Sequence, residues 1–235
     1  MNDWSGPEDG GRVLPSMPRR AFLGVLGAAG FLTFGCEKSD SGLSSSSKAI
    51  DPKQLRDNLD GIKAWLEKNN PEVAASLQPG MSRREIEMIT AEMPFALPDE
   101  VVLLYQWYNG TSIDAPFIWN YRFLPIEDAA LFWKKNERSG WLNKFPMFAH
   151  RGQYYFVAPF GIAVKSLPVR HFSPKNTDHP NAFLNVTVMA QTALEWYKSG
   201  AVKVGKAPNL RAVNMEKIRE IHEKLNPDTP FPEEQ

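Results

Sequence analysis

The sequence predicts an α+β domain in which N-terminal helices pack on a mainly antiparallel sheet. Helix-start signals recur between residues 51 and 100, and a meander of short aromatic and β-branched runs follows. Nineteen prolines and sixteen glycines add many turns, which argues against an all-helical bundle. Apolar residues make up 43% of the 235-residue chain and aromatics 11%, enough for a substantial core. The 27 basic and 27 acidic side chains balance to a net charge of zero, so no nucleic acid is expected as a partner. A single cysteine excludes an internal disulfide, and packing alone must hold the fold.

Asp51 suits a helix N-cap and Pro52 a first helical position, followed by a stripe of Leu55, Leu59, Ile62 and Leu66 with Trp65 beside it. Asn69-Asn70-Pro71 ends that helix. Leu77-Gln78-Pro79-Gly80 reads as a turn. Ser82 and Glu85 have the capping-box spacing and open a second helix through Ile86 and Ile89. A third helix is written into residues 97–110. Pro98 fits its first position, and Asp99 and Glu100 suit the positive end of its dipole. Val101, Leu104, Tyr105 and Tyr108 form its apolar stripe, and Asn109-Gly110 its left-handed stop. Trp107 lies about 100° from either neighbour on such a helix, off the stripe. It either packs beneath the following strand or offers an anchor to a binding partner.

Residues 117–124 have strand-like texture closed by Pro125, and residues 126–136 a helical pattern with Glu127 and Asp128 in its first turn. Residues 145–149 and 153–158 predict a hairpin around His150-Arg151-Gly152. Residues 169–172 and 186–189 are further strand candidates. Residues 190–198, stopped by Ser199-Gly200, and 214–225 read as helices.

The N-terminus carries an address. Arg19-Arg20-Ala21-Phe22-Leu23 precedes an uncharged run over residues 24–35, shorter than the about 20 residues a membrane span needs and of signal-peptide length. The twin arginine with Phe22 and Leu23 behind it resembles the Tat export signal. Gly35-Cys36 resembles a bacterial lipobox, which makes Cys36 the candidate lipid-attachment residue, and residues 39–47 read as a serine-rich tether. A start at Met17 would make this signal compact. The expected organisation is an extension and signal over 1–36, a tether over 37–49, a domain over 50–205, and a C-terminal helix and tail over 206–235. The expected location is the cell envelope, anchored through lipid or released beyond the cytoplasm.

Catalytic patterns are sparse. The chain contains no G-x-S-x-G and no phosphate-cradling glycine loop. His150, His171, His179 and His222 form neither H-x₃-H nor H-E-x-x-H, and His171, Asp178 and His179 read as a polar surface turn. Glu85, Glu87, Glu92, Glu127 and Asp128 suit helix starts and solvated faces. Nothing around Cys36 lowers its pKa as a nucleophile would require. The reading is therefore of a non-enzymatic chain with no catalytic residue, metal or cofactor.

Trp65, then Leu77-x-Pro79-Gly80, then Glu85-Ile86 on a capped helix, then Leu97-Pro98 leading to Leu104-Tyr105-x-Trp107-x-Asn109-Gly110, resembles the SUKH (Smi/Knr-type) superfamily. Phe123-Leu124-Pro125-Ile126-Glu127-Asp128-Ala129, the strand pair around Gly152 and a closing helix over 194–200 extend the likeness to residues 55–200. The resemblance implies a SUKH-like α+β fold and a protein-binding role, as in cell-wall regulators and in bacterial immunity proteins that neutralise a toxin by binding it. The expected partners are thus another protein, with a toxin domain as the most concrete version, and the membrane through the lipid anchor. An envelope assembly or cell-wall regulatory protein is the alternative, and an enzyme of unrecognised type the remaining one.

Overall fold

The computed structural model describes residues 51–175 and 177–231. Arg19, Arg20, Phe22, Leu23, Cys36 and the serine-rich segment lie outside the described residues.

Helix α1, Pro52–Asn69, begins as its sequence dictates: the Asp51 side chain accepts the Lys53 N–H, and Leu55, Leu59, Ile62 and Leu66 are buried. A short helix α2, Pro71–Ala75, follows at once, with Pro71 in its first turn. Helix α3, Arg83–Ile89, carries the complete Ser82–Glu85 capping box. Helix α4, Asp99–Trp107, starts one residue later than the sequence suggests, because Pro98 has the extended ψ of a cap. It also stops earlier. Tyr108 is already extended and opens strand β2, Tyr108–Thr111, antiparallel to β1, Leu77–Pro79. The turn expected at Leu77-Gln78-Pro79-Gly80 is thus a short strand, and the helical stop expected at Asn109-Gly110 lies inside another. Gly110 does hold a positive φ of 69°.

The main sheet has the order β3-β4-β5-β6-β7, antiparallel throughout: Arg122–Phe123, Phe145–His150, Gln153–Val157, Val169–Phe172 and Asn181–Phe183. The α+β class with a mainly antiparallel sheet is therefore as expected, and so is the hairpin turning at Arg151-Gly152. Over residues 117–124 the strand shrinks to Arg122–Phe123 and a bridge from Ile118 to Tyr121, because the chain doubles back through Trp119 at φ 51°. Helix α5, Ile126–Asn136, leads into a 3₁₀ turn before β4.

The strand expected at residues 186–189 is the first turn of helix α6, Val186–Lys198. Its β-branched residues favour a strand locally, but the Asn185 side chain accepts the Val188 N–H and caps a helix. Strands β8, Val202–Val204, and β9, Leu210–Ala212, form a hairpin before helix α7, Met215–Leu225. Residues 206–231 pack onto the domain and do not stand apart from it. Ile218, His222 and Asn226 are buried, and the Trp196 indole donates to the Ile218 carbonyl at 3.0 Å.

The core fills the space between the helices and the sheet. Tyr105 packs on Phe123 and Phe145, and Trp65 stacks on Tyr197 at 4.5 Å between ring centroids. No helix among the described residues is long and apolar enough to cross a membrane.

Candidate functional sites

Both helices introduced by a Leu-Pro step are capped by distant residues. Pro98 and Pro125 hold their N-cap positions and make no side-chain cap bond. At α5 the vacancy is filled from β2: Asn109 Oδ1 accepts the Ile126 N–H at 2.8 Å, and Asn109 Nδ2 donates to Glu127 Oε2 at 2.9 Å. At α4 it is filled by the loop between β5 and β6, whose Val164 and Lys165 carbonyls accept from Asp99 and Glu100. The Leu-Pro and Asn-Gly residues are thus the joints that fix α4 and α5 against the sheet.

Fixing those joints leaves an apolar groove of about 300 Å³ between α3 and α5. Ile89, Met93, Ala130, Leu131 and Trp133 line it. Glu92 and Lys134 close one rim with a 2.6 Å ion pair, and Glu127 stands on another. Trp133 is held as a floor residue by its indole bond to the Leu142 carbonyl at 3.2 Å and by an edge contact with Phe95. Leu131 is 52% exposed and Met88, on the neighbouring α3 surface, 66%. An apolar floor with a charged rim is the anatomy of a protein-binding surface.

A second, polar cleft of about 270 Å³ opens beside the β4–β5 turn, lined by Asp114, Asn120, Arg122, His150, Arg151 and Asn209. Arg122 is committed on one side, donating to the Thr111 carbonyl at 3.0 Å and pairing with Asp128 at 3.3 Å.

Behind the cleft lies a buried polar cluster. His171 Nε2 is 2.8 Å from the Tyr121 hydroxyl and 3.2 Å from Gln153 Oε1, and Tyr121 donates to Gln153 at 2.9 Å. Burial pushes the His171 pKa down to about 4, with the nearby His179 adding to the effect, so the imidazole is neutral at physiological pH. A neutral imidazole on a tyrosine hydroxyl is capable of proton exchange, but His171 and Tyr121 are each only 7% exposed. His171 belongs to β6, the strand expected over residues 169–172, and not to a surface turn with Asp178 and His179, and His179 stacks on Phe172 with centroids 4.9 Å apart. Among the described residues, no group of three or more His, Cys, Asp or Glu side chains is placed to hold a metal ion.

Trp107 is 7% exposed, and its indole donates to Asp60 on α1 at 2.7 Å. The ring is thus buried, with its polar edge turned to α1. The surfaces the sequence did not single out are those assembled from two elements. Residues of α3 and α5 reach one groove only after both helices are docked on α4 and the sheet.

No known family model matches this chain, and no curated protein matches it significantly.

Proposed function

We propose that this chain is an exported, lipid-anchored protein-binding domain of SUKH (Smi/Knr) type, which neutralises a toxin domain by binding and occluding it. The α3–α5 groove carries the reading. Exposed apolar area with a fixed aromatic floor costs solubility unless something covers it, and its Glu92–Lys134 rim supplies the polar edge that protein interfaces share. The twin-arginine segment and Cys36 support the envelope location. The buried setting of the Tyr121–His171 pair supports a structural role for that pair.

The test is affinity capture with the full chain from the membrane fraction of its native cells, followed by mass spectrometry and an activity assay on whatever is bound. The expected result is one toxin domain, inhibited on binding, whose capture falls at least about tenfold with Met88→Glu and Leu131→Glu together. Capture that ignores those substitutions removes the groove from the argument. Capture of wall-synthesis or secretion components moves the reading to envelope assembly. Turnover of a small substrate with no bound protein overturns the binding role altogether.

A further inference from the structure

Residues 158–168 join β5 to β6 and project an apolar finger. Phe160 is 86% exposed and Ile162 81%, the two most exposed large apolar side chains among the described residues. The finger's backbone is nonetheless held. The carbonyls of Gly161, Val164 and Lys165 accept from the N–H groups of Ala96, Asp99 and Glu100 at 3.3, 3.0 and 3.2 Å, and Pro159 is buried. The loop that caps α4 from outside thus turns two bulky apolar side chains to water.

The position of the finger follows from the helix directions. Gly61 of α1 faces Leu194 of α6 and Trp65 stacks on Tyr197, while Asn58 donates to the Thr187 carbonyl, so α1 and α6 run in parallel. Pro52 and Leu55 line one crevice with Leu103, and Asp60 meets Trp107, so α4 runs the same way. Glu100, in the first turn of α4, accepts from Thr187 in the first turn of α6. All three helices therefore begin at one end of the domain. The finger lies off the start of α4, and the chain enters α1 from Asp51 at that same end. Leu184, 42% exposed and one residue before the Asn185 cap of α6, adds apolar surface there.

We propose that Phe160 and Ile162 dip into the interfacial layer of the bilayer to which Cys36 tethers the chain, so that the domain rests on the membrane by this end. The inference rests on the reading of Cys36 as a lipid anchor. The chain from Cys36 to Asp51 spans at most about 50 Å even when fully extended, so Asp51 stays within that reach of the bilayer. Aromatic and aliphatic side chains side by side suit the headgroup–acyl boundary, and the exposed Lys165 suits anionic headgroups beside them. Burying each apolar side chain contributes roughly tenfold or more to partitioning, enough to orient a domain that is already tethered.

Because Cys36 is the only cysteine, the full chain can be coupled through it to a maleimide lipid, in phosphatidylethanolamine–phosphatidylglycerol vesicles with brominated acyl chains. Two variants are compared against the wild-type emission, Phe160→Trp and, about 25 Å along α1 from its start, Lys68→Trp. The indole added at position 160 is expected to shift to the blue and lose emission to the brominated chains, while the one added at position 68 stays at its water wavelength. Equal behaviour of the two variants overturns the finger, whether a protein partner, a second copy or water covers it. The anchor is read separately by cell fractionation. A Cys36→Ser chain that stays with the membranes as the wild type does overturns the anchor reading alone.

Discussion

Asn109, in strand β2, closes the first turn of helix α5 by accepting the Ile126 N–H at 2.8 Å, seventeen positions along the chain. The same side chain donates to Glu127 at 2.9 Å, so both ends of one amide are used across a tertiary joint. Gly110 beside it sits at φ 69°, and a Cβ there would lie 2.3 Å from the Pro125 nitrogen. The pair thus lets β2 run directly against the start of α5, which carries one wall of the apolar groove.

Replacing Asn109 by Ala should cost about 1–3 kcal/mol, because it removes a cap and leaves a buried N–H unpaired. Asn109→Asp keeps the acceptor but sets a carboxylate against Glu127, so its loss should be intermediate at neutral pH. Urea denaturation of the three proteins measures this. A change below about 0.5 kcal/mol for Asn109→Ala would show that water replaces the amide at no cost.

The sequence made these helices legible and hid the joints between them. The Ser82–Glu85 capping box, the Asp51-Pro52 start and the Asn214 cap act within a few residues, so α1, α3 and α7 could be read locally. Asn109-Gly110 was equally visible as a place for positive φ, but as a helix stop. Its use in a strand depends on Pro125, which no local pattern brings near. Val186-Thr187-Val188-Met189 differs, since its Asn185 cap is local and is masked only by the β-branched run, while the Glu100 carboxylate that also receives the Thr187 N–H lies 87 positions away. The groove inherits this limit, since Ile89 and Leu131 share a surface only through the packing of two helices on a third element.

Tyr105 → Phe should stabilise the protein by about 1 kcal/mol, since the hydroxyl is fully buried and finds no partner. Burial holds its pKa well above the ordinary tyrosine value, consistent with an unsolvated phenol. The ring contacts with Phe123 and Phe145 survive the substitution. Thermal unfolding of the variant decides the point, and a lower midpoint would mean that the hydroxyl is satisfied in solution.

Glu100 sets a pH dependence of one sign. Burial raises its pKa above the ordinary 4.5, although hydrogen bonds from Thr187 oppose the shift, and Oε2 has no partner. A raised carboxyl pKa means that the folded state holds the proton more tightly. Its contribution is fully present below the unfolded pKa and is lost as pH rises through the folded one. Glu100→Gln removes that loss and should be about 1 kcal/mol more stable than wild type at pH 7, with the gap closing below pH 4.5. A gap independent of pH would sink the assignment.

His171 and His222 set the opposite dependence. Burial lowers each from the ordinary 6.5 to about 4, in one case behind the polar cleft and in the other between Phe183 and Trp196. A depressed histidine pKa favours the neutral ring in the fold, so the stabilisation is present above pH 6.5 and is lost as pH falls toward 4. Each histidine can add a slope of up to about 1.4 kcal/mol per pH unit across that window, less whatever solvent screening removes. Urea midpoints at intervals between pH 7 and 4 should therefore fall, and the rings of both histidines should keep their neutral NMR shifts at pH 5.5 while His150 is followed as a half-buried comparison. Protonation of either ring near pH 6.5 in the folded protein would show that water reaches it, and for His171 would reopen the Tyr121–His171 pair as a group able to exchange protons.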